Sequence, residues 1–193
     1  MARTRVFDVE TAVETATDLF WRQGYERTSL SDLTSAIGIT PPSFYFAFGS
    51  KEGLFRKVLE HYRVSRLNYA EDALNCATAR EVAEQMLVRL AELYTDQTRP
   101  PGCLAVNCSL PSASADEPVQ ESLREMRRAR RERVRKRFER ALQDGDLPTD
   151  ADPGELSRFL ITVGWGMAID AQSGASRTEL MGTVRRAMKA WPS

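Results

Sequence analysis

Two thiols stand first among the side chains able to do chemistry: Cys103 and Cys108, in the segment GCLAVNCS. Cys103 follows the break Pro100-Pro101-Gly102 and opens a short helix, and a helix N-terminus favours the thiolate. Such a pair could be oxidised or alkylated and so report the event. The same residues also suit buried positions as small apolar side chains. With Cys76 there are 3 cysteines in 193 residues, which is no disulfide framework. The single histidine, His61, restricts enzyme chemistry, because any Ser-His-Asp or Cys-His constellation would have to use it. It follows Leu59 in an amphipathic stretch and reads as structural. A histidine-rich metal site is impossible, and no glycine-rich phosphate loop occurs. No enzyme, metal or cofactor is expected.

A different chemistry is offered by residues 28–55, TSLSDLTSAIGITPPSFYFAFGSKEGLF. Thr40 and Ser43 carry hydroxyls that can read either kind of base pair, and Pro41, Pro42 and Phe46 can give apolar contact, as to thymine methyls. These groups are useful only if rigidly presented. Leu30, Leu33, Ala36 and Ile37 form one face of a short helix over 30–37, and Gly38 stands where a left-handed cap is wanted. Thr40 can cap a second helix, about 41–48, whose two prolines fall in the first turn, where no N–H partner is lost. That helix is too short to be stable alone, so Phe44 and Phe48 must bury against the first. The pattern is a helix-turn-helix, whose second helix enters a DNA major groove. A competing placement turns Phe46 inward with Phe44 and Phe48.

The stretch FWRQGYERTSLSDLTSAIGI followed by TPPSFYFAFGSKEGLF also resembles the tetracycline-repressor (TetR) family of bacterial one-component regulators. The likeness is specific across about the first sixty residues and looser beyond. It implies a DNA-binding N-terminal domain, a helical ligand-binding and dimerising C-terminal domain, and repression relieved by a small molecule. It also implies that Thr28, Tyr45 and Lys51 hold phosphates, contacts that fix register without reading sequence. Many relatives place a basic or histidine side chain where Pro41, Phe46 or Ala47 stands. With no Arg or Lys in the recognition helix, bidentate guanine reading is absent. Specificity per half-site is then modest, made useful by dimerisation and by Arg3 and Arg5 reaching the backbone or minor groove.

Bulk charge gives no support of its own. Lys and Arg number 27, as do Asp and Glu, so the net charge is zero. Local placement must supply any steering. Two rival functions follow: a thiol-responsive regulator using Cys103 and Cys108, and a helical adaptor that binds protein through the apolar helix-turn-helix face. No stretch is apolar for long enough to span a bilayer, and MARTRVFD lacks the apolar region of a signal peptide, so a cytoplasmic protein is expected.

The remaining periodicity is helical throughout, which predicts an all-α chain of about nine helices. The expected division is a helix-turn-helix domain over 1–49 and an effector-binding and dimerisation domain over 50–193, with helix 51–67 as the connecting lever. Ser50, Thr78 with Glu81, Asp152 with Pro153 and Glu155, and Ser176 with Glu179 mark helix starts. The last two helices carry Phe159, Leu160, Val163, Gly164 and Met167, then Leu180, Val184, Ala187, Met188 and Trp191. The resemblance makes these the homodimer contact; alternatively, they complete the core of one chain. Tyr62, Met86, Leu90, Tyr94, Cys103, Asn107, Met126, Phe159 and Trp165 are candidates to line a small-molecule effector cavity. Arg130 falls beside the apolar stripe of Met126, Val134 and Phe138. It could pair with an anionic effector or snorkel to the edge. The surrounding run REMRRARRERVRKRFER reads as the solvated basic face of an amphipathic helix rather than a nucleic-acid patch.

Overall fold

The computed structural model describes residues 7–109 and 117–192, and every regular element among them is helical. Arg3 and Arg5 lie outside the described residues. Helix α1 (Val9–Gln23) begins where Asp8 accepts the amide of Glu10 at 2.9 Å, and ends at Gly24 with φ 79°. Helix α2 (Leu30–Ile37) opens with a capping box between Ser29 and Asp32, and closes at Gly38 in the left-handed region. Helix α3 (Pro41–Phe48) follows α2 after three residues, and Ser50 then caps α4 (Lys51–Tyr62). The aromatic rings of α1 and α4 knit these helices together. Phe20 meets Phe55 edge-on at 5.1 Å, and Trp21 meets Tyr62 at 5.1 Å.

The expected lever does not run as one α-helix to residue 67. After Tyr62 the chain makes a π-helical turn (Arg63–Leu67), a short α5 (Asn68–Glu71) and a 3-10 turn (Asp72–Asn75). Tyr62 and, five residues on, Leu67 are both buried at the two ends of this wider turn. The same turn delivers Arg66 to Glu14 on α1, which also holds His61.

Helix α6 (Ala79–Tyr94) runs through the second half with both flanks covered, by α9 (Pro153–Gln172) and α10 (Arg177–Lys189). Helix α8 (Glu117–Gln143) packs on α9, and the short α7 (Leu104–Asn107) docks against α1. The basic run on α8 is largely a surface ion-pair lattice, as in Arg124 with Glu121 and Arg135 with Glu132, both at 2.7 Å. Two of its arginines point inward instead. Arg137 donates to the carbonyls of Leu74, Cys76 and Ala77 at 2.9 to 3.1 Å, tying α8 to the turn before α6. Arg130 is the other.

Most residues expected at a dimer contact serve the core of one chain. Leu160, Gly164, Met167, Leu180, Val184, Ala187, Met188 and Trp191 are buried within it, facing α6 and α8. An apolar stripe specifies burial but not the partner, and here the partners are intramolecular. Phe159 is exposed and Val163 half-buried on the outer side of α9, with Thr162, Gly166 and Ile169.

Candidate nucleic-acid interface and ligand cavity

Helix α3 stands on two rings. Phe44 is fully buried, Phe48 is nearly so, and their centroids lie 5.3 Å apart. Phe46 sits about 200° round the helix from Phe44 at ~100° per residue, and is 95% exposed. The inward placement of Phe46 is therefore overturned. Thr40, Pro41 and Pro42 are exposed, Ser43 is half-buried, and Tyr45 presents half its surface. The Thr40 hydroxyl accepts the amide of Ser43 at 3.4 Å and lies 3.0 Å from the Ser43 hydroxyl. This first turn is both braced and open, the geometry a groove-reading helix needs.

The flanking phosphate candidates fare unequally. Lys51 sits at the start of α4, its ammonium 4.1 Å above the Tyr25 ring. Thr28 corrects the expectation. Its side chain is fully buried and its hydroxyl donates to the Gly24 carbonyl at 2.7 Å, so it braces the α1–α2 corner rather than offering a hydroxyl to phosphate.

A cavity of about 210 Å³ opens between the π-turn, α7, α8 and α9. Of the expected lining residues, Cys103, Met126, Arg130 and Trp165 meet there, joined by Leu67, Val106, Ser109, Arg127, Ile161 and Ile169. Tyr62 and Tyr94 stand behind Cys103. The Tyr62 hydroxyl donates to the Cys103 sulfur at 3.3 Å, and burial raises both phenols above their ordinary range. Gly102, at φ 77°, makes the turn into Cys103; a Cβ there would stand 2.6 Å from the Ala168 carbonyl.

Four expected residues are elsewhere. Met86 and Leu90 fill the core on α6, and Phe159 lies on the outer surface. Asn107 turns toward α1 and donates to the Trp21 carbonyl at 2.7 Å, which makes it a clamp between the two halves. Sequence reasoning missed Arg127, one of many arginines in its run, and Leu67, whose inward turn depends on the π-helix. Cys108 also changes role. It is buried against the Phe20 carbonyl, and desolvation pushes its thiol up to about 12, the reverse of an activated thiolate.

A larger groove of about 830 Å³ lies near Arg66, Glu92 and Arg177, but its charges neutralise one another, as Arg177 does Glu92. No helix among the described residues is long and apolar enough to cross a membrane.

Comparison with known proteins bears on both regions. Residues 12–58 match the family of bacterial regulatory proteins called tetR, and residues 82–188 match the tetracyclin repressor-like C-terminal domain. The HTH-type transcriptional repressor ComR of Escherichia coli (strain K12) is 34% identical over 195 residues, covering 98% of this chain and 91% of ComR. A solved structure of a cysteine mutant of the TetR family transcriptional regulator CifR, complexed with 26 bp double-strand operator DNA, has 41% identity and a TM-score of 0.93. It covers 98% of this chain and 100% of that one. The reduced form of E. coli NemR, at 18% identity and a TM-score of 0.81, shares the fold, covering 96% of each chain.

Proposed function

Because this chain belongs to the tetR family of bacterial regulatory proteins, we propose that it is a cytoplasmic homodimeric repressor, released from an inverted-repeat operator when a small molecule fills the cavity. Transcriptional regulation through DNA is the family's trade, and no enzyme activity is part of the proposal. The observation that carries it is the α3 N-terminal turn, exposed at Thr40, Pro41, Pro42 and Phe46 yet anchored by buried Phe44 and Phe48. Thr40, Ser43 and Phe46 face base edges, while Tyr45 and Lys51 hold phosphates. The reading domain spans 1–49 and the remainder, 50–193, binds effector and partner. The repressor title of ComR and the operator complex of CifR support the sign and the target.

The dimer contact is the outer side of α9, with Phe159, Val163, Gly166 and Ile169, continued by the outer face of α10. Glycine there lets helices approach closely. A twofold pair presents its α3 helices about 34–36 Å apart, to successive major grooves.

Coupling follows the π-turn. Leu67 forms part of the cavity wall, and its neighbour Arg66 pairs with Glu14 on α1. Asn107, beside the other wall, holds the Trp21 carbonyl. A ligand that favours a different setting of this turn shifts α1 and the reading head, provided it binds the two states unequally. Selection of bound fragments from a random duplex library tests the function. An inverted repeat is expected; recovery of fragments with no shared motif would refute it.

A second reading has its own observation. The Cys103 sulfur borders the cavity and takes the Tyr62 hydroxyl, so a change at that thiol disturbs the same wall. Hydrogen peroxide would oxidise it to a sulfenic acid and itself be reduced to water. Mass spectrometry of the native protein after mild peroxide should find Cys103 modified before Cys108, with operator affinity reduced in step. Complete modification of Cys103 with unaltered DNA binding would discard the thiol switch.

A further inference from the structure

The cavity has one polar wall that its surroundings leave unsatisfied. Arg130 is 7% exposed, and its Nε and Nη2 atoms have no hydrogen-bond partner among the described residues. Its nearest carboxylate, Glu71, is 3.7 Å from Nε and is already engaged by Arg133, whose Nη2 reaches both Glu71 oxygens at 2.8 and 2.9 Å. Arg127, on the same helix face, is half-buried and, among the described residues, donates to the Ser109 hydroxyl at 2.6 Å. Among the described residues lining the cavity none is acidic. Two guanidinium groups therefore line a small chamber, Arg130 backed by a carboxylate that it shares with Arg133. A buried cation with a long, shared ion pair and unsatisfied donors is costly, and an entering anion would offset that cost.

The other walls are apolar. Leu67, Val106 and Ile161 line the chamber, Ile169 stands half-exposed at its mouth, and Trp165 forms a further wall with the Arg127 guanidinium carbon 5.7 Å from its ring centroid. An inorganic anion would satisfy the arginines but leave these surfaces in contact with water. A neutral apolar molecule would fill the walls and leave Arg130 unpaired. We propose that the cavity binds a small carboxylate with a flat apolar body, its carboxyl group held by Arg130 and Arg127 and its body against Trp165 and the aliphatic wall. The volume suits a single-ring acid, being the space of about seven waters at ~30 Å³ each. This rests on the cavity being the effector site, and gives that effector a chemical class.

Benzoate, its neutral isostere benzamide and inorganic phosphate are the probes, titrated into the full-length protein without DNA. Binding is followed by calorimetry and by tryptophan fluorescence, with Trp165→Phe showing which indole reports. Benzoate should bind about ten- to hundredfold more tightly than benzamide, the worth of a charged hydrogen bond, and phosphate should not compete. Arg130→Gln should remove that preference while leaving benzamide affinity unchanged. Equal affinity for acid and amide, no binding of either, or displacement by phosphate would overturn the proposal. The acid–amide comparison on the unaltered protein stands even if the variant misfolds. Operator release is scored separately: benzoate bound without release would leave the carboxylate site standing and sink the effector role instead.

Discussion

Phe44→Ala should abolish operator binding, whereas Phe46→Ala, two residues along the same helix, should leave the fold intact and weaken binding about tenfold. The contrast follows from burial. Phe44 is fully enclosed, and α3 has only eight residues, too few to persist without packing. Emptying that site should cost about 3–5 kcal/mol, enough to unseat α3 from α2 and α4. Phe46 is 95% exposed, so its truncation removes nothing from the folded monomer and should alter stability by less than about 0.5 kcal/mol. Thermal melting and operator affinity, measured on both variants, separate the roles. Phe46→Ala with unaltered affinity would take that side chain out of the groove.

Arg137→Met should rank among the most damaging substitutions in the second half of the chain. Its guanidinium satisfies three carbonyls in the turn from Leu74 to Ala77, and the residue is 9% exposed. Methionine fills much of the space but donates nothing, which leaves three part-buried carbonyls without their donor at a cost of about 2–3 kcal/mol. In a protein of this size that lowers Tm by roughly 5–10 °C. Arg128, nine residues earlier on the same helix, is exposed and pairs with Glu121 at 2.5 Å. Arg128→Met should change stability by less than about 0.5 kcal/mol. Equal losses in the two variants would mean that the three-carbonyl contact carries no special weight.

Those two arginines also show where the sequence stops being informative. The helix-turn-helix was legible because its determinants are local: Gly38, Thr40 with its prolines, and two phenylalanines four apart all act within one or two turns. The capping residues of α4, α6 and α10 were readable for the same reason, since Ser50, Thr78 and Ser176 each accept an amide three positions on. The π-turn was not, because it answers to Glu14, 52 residues away from Arg66. In the run from Arg124 to Arg140 every face carries charge; the spacing of Met126, Val134 and Phe138 set Arg130 beside their stripe, but nothing announces that Arg137 turns inward as well. The stripes on α9 and α10 were correctly apolar, but an apolar stripe does not say whether its cover is α6 or a second chain. The cavity was harder still, drawing its walls from four elements of which only Cys103, Met126, Arg130 and Trp165 were foreseen.

The most direct test of the account is a hydroxyl-radical footprint of the protein on its selected operator. Two protected windows on one face of the duplex, their centres about 34–36 Å apart, are predicted, and both should vanish with Phe44→Ala. Protection spread evenly along any duplex, or windows that survive the loss of Phe44, would contradict the claim that the Thr40–Ser43 turn, held by α3, is what reads DNA.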